Sequence, residues 1–249
     1  MPTLRKQRIT SPKWEGGDGL ELKDGKNWVV EDSIIDLSDC DLDEIDECTG
    51  ITHGCTATFR RCWIRGAGKL ILCGCGDEQY IESETGKRVE IYDSLLEDGG
   101  RRFPEVQSGM SAHLEGCLIR NWGDPSRFDT RNFGAWAHAG GTIEAVSCVF
   151  WQDKFLRPVG QFVKDIANHI GQAVNDSGLK ALFRGTTYLP GVCRGLMAGP
   201  GGVVKAYDCY RNHSWIRLEG FDYGMPKDKA LEQVARLKEM AKRLDAELG

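Results

Sequence analysis

Two cations and one acidic run are the residues whose types and spacing could do chemistry. Lys69 lies seven residues after Cys62, and Arg102 lies eight after Ser94, where Cys62 and Ser94 occupy one repeated position in the chain. If the repeats stack, the two side chains leave corresponding edges of adjacent turns and become spatial neighbours. Such a pair is either functional or two solvated surface charges. The run DCDLDEIDE, Asp39 to Glu47, is rich in carboxylates. Such a run offers clustered oxygen ligands, and it is also the ordinary composition of a solvated loop.

The elements that must position these residues are written in an internal repeat. Six segments align on a Ser or Cys: WVVEDSII, ATFRRCWI, VEIYDSLL, AHLEGCLI, IEAVSCVF and VKAYDCYR, with anchors Ser33, Cys62, Ser94, Cys117, Cys148 and Cys209. Five residues before each anchor lie Trp28, Ala57, Val89, Ala112, Ile143 and Val204. Three before it lie Val30, Phe59, Ile91, Leu114, Ala145 and Ala206. Both columns are apolar, and the residues between them are mostly polar, the period of two that a half-buried strand requires. Consecutive anchors are 29, 32, 23 and 31 residues apart before a gap of 61. An antiparallel sandwich would show strands every 8 to 12 residues or so, joined by tight hairpin turns, and this unit is too long for that. The pattern predicts an all-β chain coiled as a single-stranded parallel β-helix, one turn per repeat, with the anchors stacked as a ladder along its axis.

The C-terminal third departs from the strand period. Phe162, Ile166, Ile170 and Val174 are spaced as a helical excursion over about residues 160–176, and Leu231, Val234, Leu237, Leu244 and Leu248 place one apolar face on a terminal helix over 226–249. The expected organisation is therefore one β-helix domain over 1–225 followed by a capping or flanking amphipathic helix.

Composition narrows the function. With 249 residues, a net charge of −5 and no Lys/Arg run, the chain carries no electrostatic footprint for nucleic acid. No apolar stretch approaches the roughly 18 residues of a membrane span, and the first residues show no apolar core of a signal peptide. Ten cysteines would suggest disulfides in a secreted protein, but four of them fill the repeated anchor position, where buried thiols behave as small hydrophobes. Cys73 and Cys75 lack the paired spacing of a structural zinc site.

Three segments resemble the Ca²⁺-dependent pectate lyases, in that family's order. VEIYDSLLEDGGRRFPEVQSGMSAHLEGCLI is similar to the catalytic turn, in which a strand is followed by Arg-x-Pro-x-x-Arg, a Gly and a His-containing strand. KLILCGCGD, Lys69 to Asp77, resembles the preceding turn, and GDGLELKDGKNWVVEDS, Gly17 to Ser33, resembles the Asp-Ala-Ile stretch that leads into the first strand. The resemblance covers roughly residues 15 to 150. It implies a right-handed parallel β-helix and β-elimination on α-1,4-polygalacturonate, an acidic polysaccharide. Arg102 would be the base and Lys69 the cation that binds the substrate carboxylate, with Gln107 and His113 as further substrate contacts. It also implies a calcium site in which Asp18 matches a ligand, Asp43 and Asp46 are chosen from the acidic run, and Glu47 stands next in line. Two positions depart from the family: Gln107 stands where it has its second Arg, and Gly16 where it has a metal-binding carboxylate. The resemblance further implies a secreted monomer with no nucleic-acid or membrane partner. The rival expectation is a non-catalytic β-helix that binds glycan or serves as a structural or adhesion module.

Overall fold

The computed structural model describes residues 1–12, 14–41, 45–122, 133–151, 153, 194–198, 201–211 and 224–249. Its strands fall into rungs, each contributing one strand to each of three sheets. The first rung is β1 (Thr3–Arg5), β2 (Arg8–Ile9) and β3 (Leu20–Leu22), and the second is β4 (Asn27–Glu31), β5 (Ile34–Asp36) and β6 (Thr49–Ile51). The third is β7 (Thr56–Arg60), β8 (Trp63–Arg65) and β9 (Ile71–Cys73), and the fourth is β10 (Arg88–Tyr92), β11 (Leu95–Gly99) and β12 (Glu105–Val106). The fifth is β13 (Ser111–Glu115), β14 (Leu118–Trp122) and β15 (Phe133–Ala137), and the sixth is β16 (Thr142–Val146), β17 (Val149–Trp151) and β18 (Arg194–Ala198). β19 (Val203–Tyr207) and β20 (Tyr210–Arg211) are the last of the described strands. Every pairing between named strands is parallel, and each sheet takes every third strand, an arrangement compatible with a parallel β-helix.

The first sheet pairs in the register that the apolar columns predict. Trp28 faces Ala57, Ala57 faces Val89, Val89 faces Ala112, Ala112 faces Ile143, and Ile143 faces Val204. The second column, from Val30 through Phe59, Ile91, Leu114 and Ala145 to Ala206, is buried throughout. Between the first and second sheets every rung turns through one left-handed residue: Lys6, Asp32, Arg61, Asp93, Gly116, Ser147 and Asp208, with φ between 46° and 64°. Most residues resist this conformation, and Asp and Gly tolerate it best. The anchor that follows ties the rungs together. Ser33 Oγ accepts the Gln7 N–H and Ser94 Oγ accepts the Cys62 N–H, both at 3.1 Å. The thiols of Cys62 and Cys117 donate backward to the carbonyl oxygens of Val30 (3.4 Å) and Ile91 (3.2 Å). Burial pushes the Cys62 thiol up to about 12, so it stays protonated, and the described cysteines form no disulfide.

Among the described residues two α-helices join the sheets: a short α1 (Ile81–Glu84) and a long α2 (Lys227–Leu248). The Met225 N–H donates to the Cys209 carbonyl at the last rung, while Arg8 pairs with Asp245 at 2.7 Å and Lys6 with Glu247 at 3.4 Å on the first. The 22 residues of α2 span about 33 Å at 1.5 Å per residue, enough to cover the about 29 Å between the first and seventh strands at about 4.8 Å per step. Ala230, Val234, Leu237, Met240, Ala241 and Leu244 close over Ile34, Leu95, Leu118 and Val149 on the outer face of the second sheet. The expected face is corrected at one position: Leu231 is exposed, because Ala230 and not Leu231 shares the stripe of Val234, Leu237 and Ala241. The expected helical excursion over 160–176 lies outside the described residues. No described helix is long and apolar enough to cross a membrane.

Candidate functional site

The site lies where the chain leaves the second sheet and enters the third. Two isolated parallel bridges, Gly17 with Ile45 and Lys69 with Arg101, extend the third sheet here. Lys69 faces Arg101, yet Leu72 faces Glu105, so three steps along one rung oppose four along the next. The extra residue is accommodated at Arg102, which is left-handed with φ 66°. A bulge of this kind re-aims the side chain it carries. Here the Arg102 guanidinium meets Glu47, two rungs back, and Glu105 of its own rung.

Glu47, buried with 2% of its surface exposed, is the hub of the resulting cluster. Its Oε1 pairs with Arg102 Nη1 and lies 3.7 Å from Lys69 Nζ, which also pairs with Asp46. The Glu47 backbone N–H donates to Asp18 Oδ1 at 3.2 Å. One ligand atom from each of Asp18, Asp46 and Glu47 lies within 4.8 Å of the others. On the far side, Arg102 Nε forms an ion pair with Glu105 Oε2 at 2.8 Å, and Glu105 Oε1 meets His138 Nε2 at 3.0 Å. The His138 ring stacks on Trp136 with centroids 4.1 Å apart.

These neighbours set the protonation of the cluster. Burial, then the charge of Glu21, pushes Asp18 up to about 6 against the downward pull of Lys23, Lys69 and Arg102. Burial, then the charge of Arg101, lowers Lys69 from its ordinary value. Burial acts to raise Glu105, but the hydrogen bond from His138 and the charges of Arg102, His138 and Arg101 together hold it below the usual carboxylate value. The carboxylates Asp18, Asp46, Glu47 and Glu105 outnumber Lys69, Arg101 and Arg102, so the locality carries excess negative charge.

The structure thus brings together Lys69, Arg102, Asp18, Asp46 and Glu47. It sets two other expected site residues elsewhere. Gln107 lies beyond β12 at the other end of the third-sheet strand and donates to the Gly74 carbonyl at 2.9 Å. His113 lies in the first sheet, its Nδ1 2.9 Å from Glu144 and its Nε2 3.3 Å from Glu115. Gly16 forms a left-handed turn with φ 73°, a conformation open to glycine. Asp43 lies outside the described residues.

Four residues of the site were not anticipated. Glu105 and His138 hold Arg102 from behind, and Trp136 supports His138. The fourth is Gly50, which faces Glu21 on one side and Leu72 on the other. A Cβ at Gly50 would lie 2.0 Å from Asp18 Oδ2, so a side chain there would push that carboxylate aside. Glu105 had a signal of a kind, three residues beyond Arg102 in the same motif; His138 became a candidate only once the rungs were stacked. No protein-family model matches the chain, and no curated protein matches its sequence.

Proposed function

We propose that the chain is a right-handed parallel β-helix that acts on an acidic polysaccharide of the pectate kind by cation-assisted β-elimination. Right-handedness is the rule for parallel strands joined by crossovers. The observation that carries the functional reading is the convergence of Lys69 and Arg102 on one buried carboxylate, Glu47, beside Asp18 and Asp46.

The residues present suit a divalent cation: three clustered carboxylates, a surplus of negative charge, and a glycine where any side chain would displace Asp18. Asp18, Asp46 and Glu47 would hold Ca²⁺, with Asp43 a further candidate from the same run. When bound, the cation supplies positive charge next to the substrate carboxylate and so acidifies the proton on C5. Lys69 grips the uronate carboxylate and fixes the ring. For this step Arg102 must be the neutral guanidine, a form that the charges of a bound cation and of Lys69 would favour; it then takes the C5 proton as the C5–H bond breaks, C4=C5 forms, and the C4–O bond to the next sugar opens. The departing oxygen collects a proton from solvent.

Arginine is protonated at ordinary pH, and Glu47 and Glu105 both favour its charged form. That contact favours a second reading, a glycan-binding module in which Lys69 and Arg102 hold uronate carboxylates and no bond is broken. Incubation with polygalacturonate and Ca²⁺, followed by ultraviolet absorbance of the unsaturated product, separates the two. Product formation that is lost in Arg102→Ala and weakened in Lys69→Ala supports the lyase. Retained polymer binding without product supports the module, and neither product nor binding removes both.

A further inference from the structure

Lys69 and Arg102 do not point freely into an open cleft: they sit on the carboxylates that the proposed function assigns to the cation. Lys69 Nζ pairs with Asp46 and approaches Glu47, and Arg102 Nη1 pairs with the same Glu47 oxygen. Glu47 is almost wholly buried, so a cation can use that oxygen only by taking it from the two side chains that already share it. Lys23, the other nearby cation that acts on Asp18, pairs instead with Glu21, outside the three-carboxylate set.

We infer that Lys69 and Arg102 are built-in counter-cations of this site, and that a divalent cation displaces them from Asp46 and Glu47 and thereby frees them for a sugar carboxylate. The inference rests on the cation-assisted reading above and adds a coupling to it. In the cation-free protein, the two side chains are neutralised by carboxylates of their own chain, and a substrate carboxylate must compete with these. Once Glu47 turns to the cation, Arg102 does not swing away, because Glu105 still holds its Nε at 2.8 Å and His138 holds Glu105. Cation and uronate binding therefore favour one another, and linkage requires the effect to be reciprocal.

The coupling makes a prediction that is opposite to that of a simple supporting role. A residue that merely braces the site weakens cation binding when removed, whereas a displaced competitor strengthens it. The test is Ca²⁺ titration by calorimetry on the full chain, together with thermal unfolding with and without Ca²⁺. The proteins compared are the parent, Lys69→Met, Arg102→Gln and Lys23→Met. The expected result is Ca²⁺ binding tightened about tenfold or more in Lys69→Met and Arg102→Gln, with a much smaller change in Lys23→Met. Those two variants melt below the parent without Ca²⁺, because Asp46 or Glu47 has lost its counter-charge, and saturating Ca²⁺ closes the gap. Equal or weaker Ca²⁺ binding in both variants overturns the inference and leaves the cation site standing. A gain in Lys23→Met as large as in Arg102→Gln also overturns it, since the effect is then general field and not exchange at a shared oxygen. Absence of Ca²⁺ binding by the parent at millimolar concentration removes the cation-assisted reading itself, and the inference with it.

Discussion

Replacing Asp18 by Asn should stabilise the cation-free protein at pH 8, against the usual expectation for a residue of a functional cluster. Asp18 is half-buried, and its pKa rises from 3.8 to about 6, chiefly through burial. A raised folded-state value means that the carboxyl's contribution to stability is fully present below the unfolded value and is lost as pH climbs through about 6. At about 1.36 kcal/mol per pKa unit, the ionised side chain costs the fold up to about 3 kcal/mol at pH 8 relative to the protonated one. At pH 4.5 most of the folded protein is protonated at Asp18 and most of the unfolded chain is not, which restores about 2 kcal/mol of that difference. Asn keeps an oxygen to accept the Glu47 N–H and carries no charge at either pH. Urea denaturation of both proteins at pH 8 and pH 4.5 therefore expects Asp18→Asn to be the more stable by about 1–3 kcal/mol at pH 8, with an advantage smaller by about 2 kcal/mol at pH 4.5. A variant less stable than the parent at pH 8, or a gap independent of pH, would refute the account of Asp18 as a carboxylate whose ionised form is disfavoured chiefly by burial.

Further predictions concern the residues that build the site and the stack. Gly50→Ala places a methyl group on Asp18 Oδ2, so the Ca²⁺-induced rise in melting temperature should vanish while circular dichroism keeps its β signature; an undiminished rise would separate Asp18 from the cation. Leu237→Ala opens a hole between α2 and the second sheet and should cost about 2–5 kcal/mol in denaturant unfolding, with a loss under about 1 kcal/mol showing that the helix is only loosely docked. Ser94→Ala leaves the buried Cys62 N–H without its acceptor and should cost about 1–3 kcal/mol, whereas Ser94→Cys, which restores the commoner anchor, should cost less; equal losses would mean that volume and not hydrogen bonding matters there.

The stack was legible because two simple signals agree in the sequence. Alternation of apolar and polar residues fixes which side chains face inward, and the small anchor fixes where the chain turns from the first sheet to the second. Both carry over to pairing register, which follows from matching like columns. The left-handed residue before each anchor could have been read in Asp32, Asp93, Gly116 and Asp208, which favour that conformation, but Arg61 and Ser147 do not announce it. The grouping of Lys69 with Arg102 followed from their similar distance past the anchor. The bulge at Arg102 did not, because one extra residue in a turn changes where a side chain points without changing any periodicity. Gln107 and His113 illustrate the same limit: each stands at the expected place along the chain, but on a different side of the stack from Arg102. Leu231 shows it at the scale of one helical turn, where a step of about 100° separates a buried position from an exposed one.

The stacking that brings the site together also accounts for its charge order. Parallel rungs lie about 4.8 Å apart, close enough for a charged side chain on one rung to meet its neighbour on the next. The outer column of the second sheet shows the structural use of this spacing: Asp36 pairs with Arg65 at 3.5 Å, and Glu97 pairs with Arg120 two rungs further on. At the third-sheet edge Asp18 stands on the first rung, Asp46 and Glu47 on the second, Lys69 on the third, Arg102 with Glu105 on the fourth, and His138 on the fifth. Here the pairs are not one to one, since Glu47 serves two cations and Arg102 serves two carboxylates. A matched ladder has nothing to exchange. An edge with shared partners and a surplus of carboxylates lets an incoming cation replace an internal one while Glu105 keeps Arg102 in place, so the mismatch in partners is the feature that separates a candidate site from a stabilising ladder built from the same residue types.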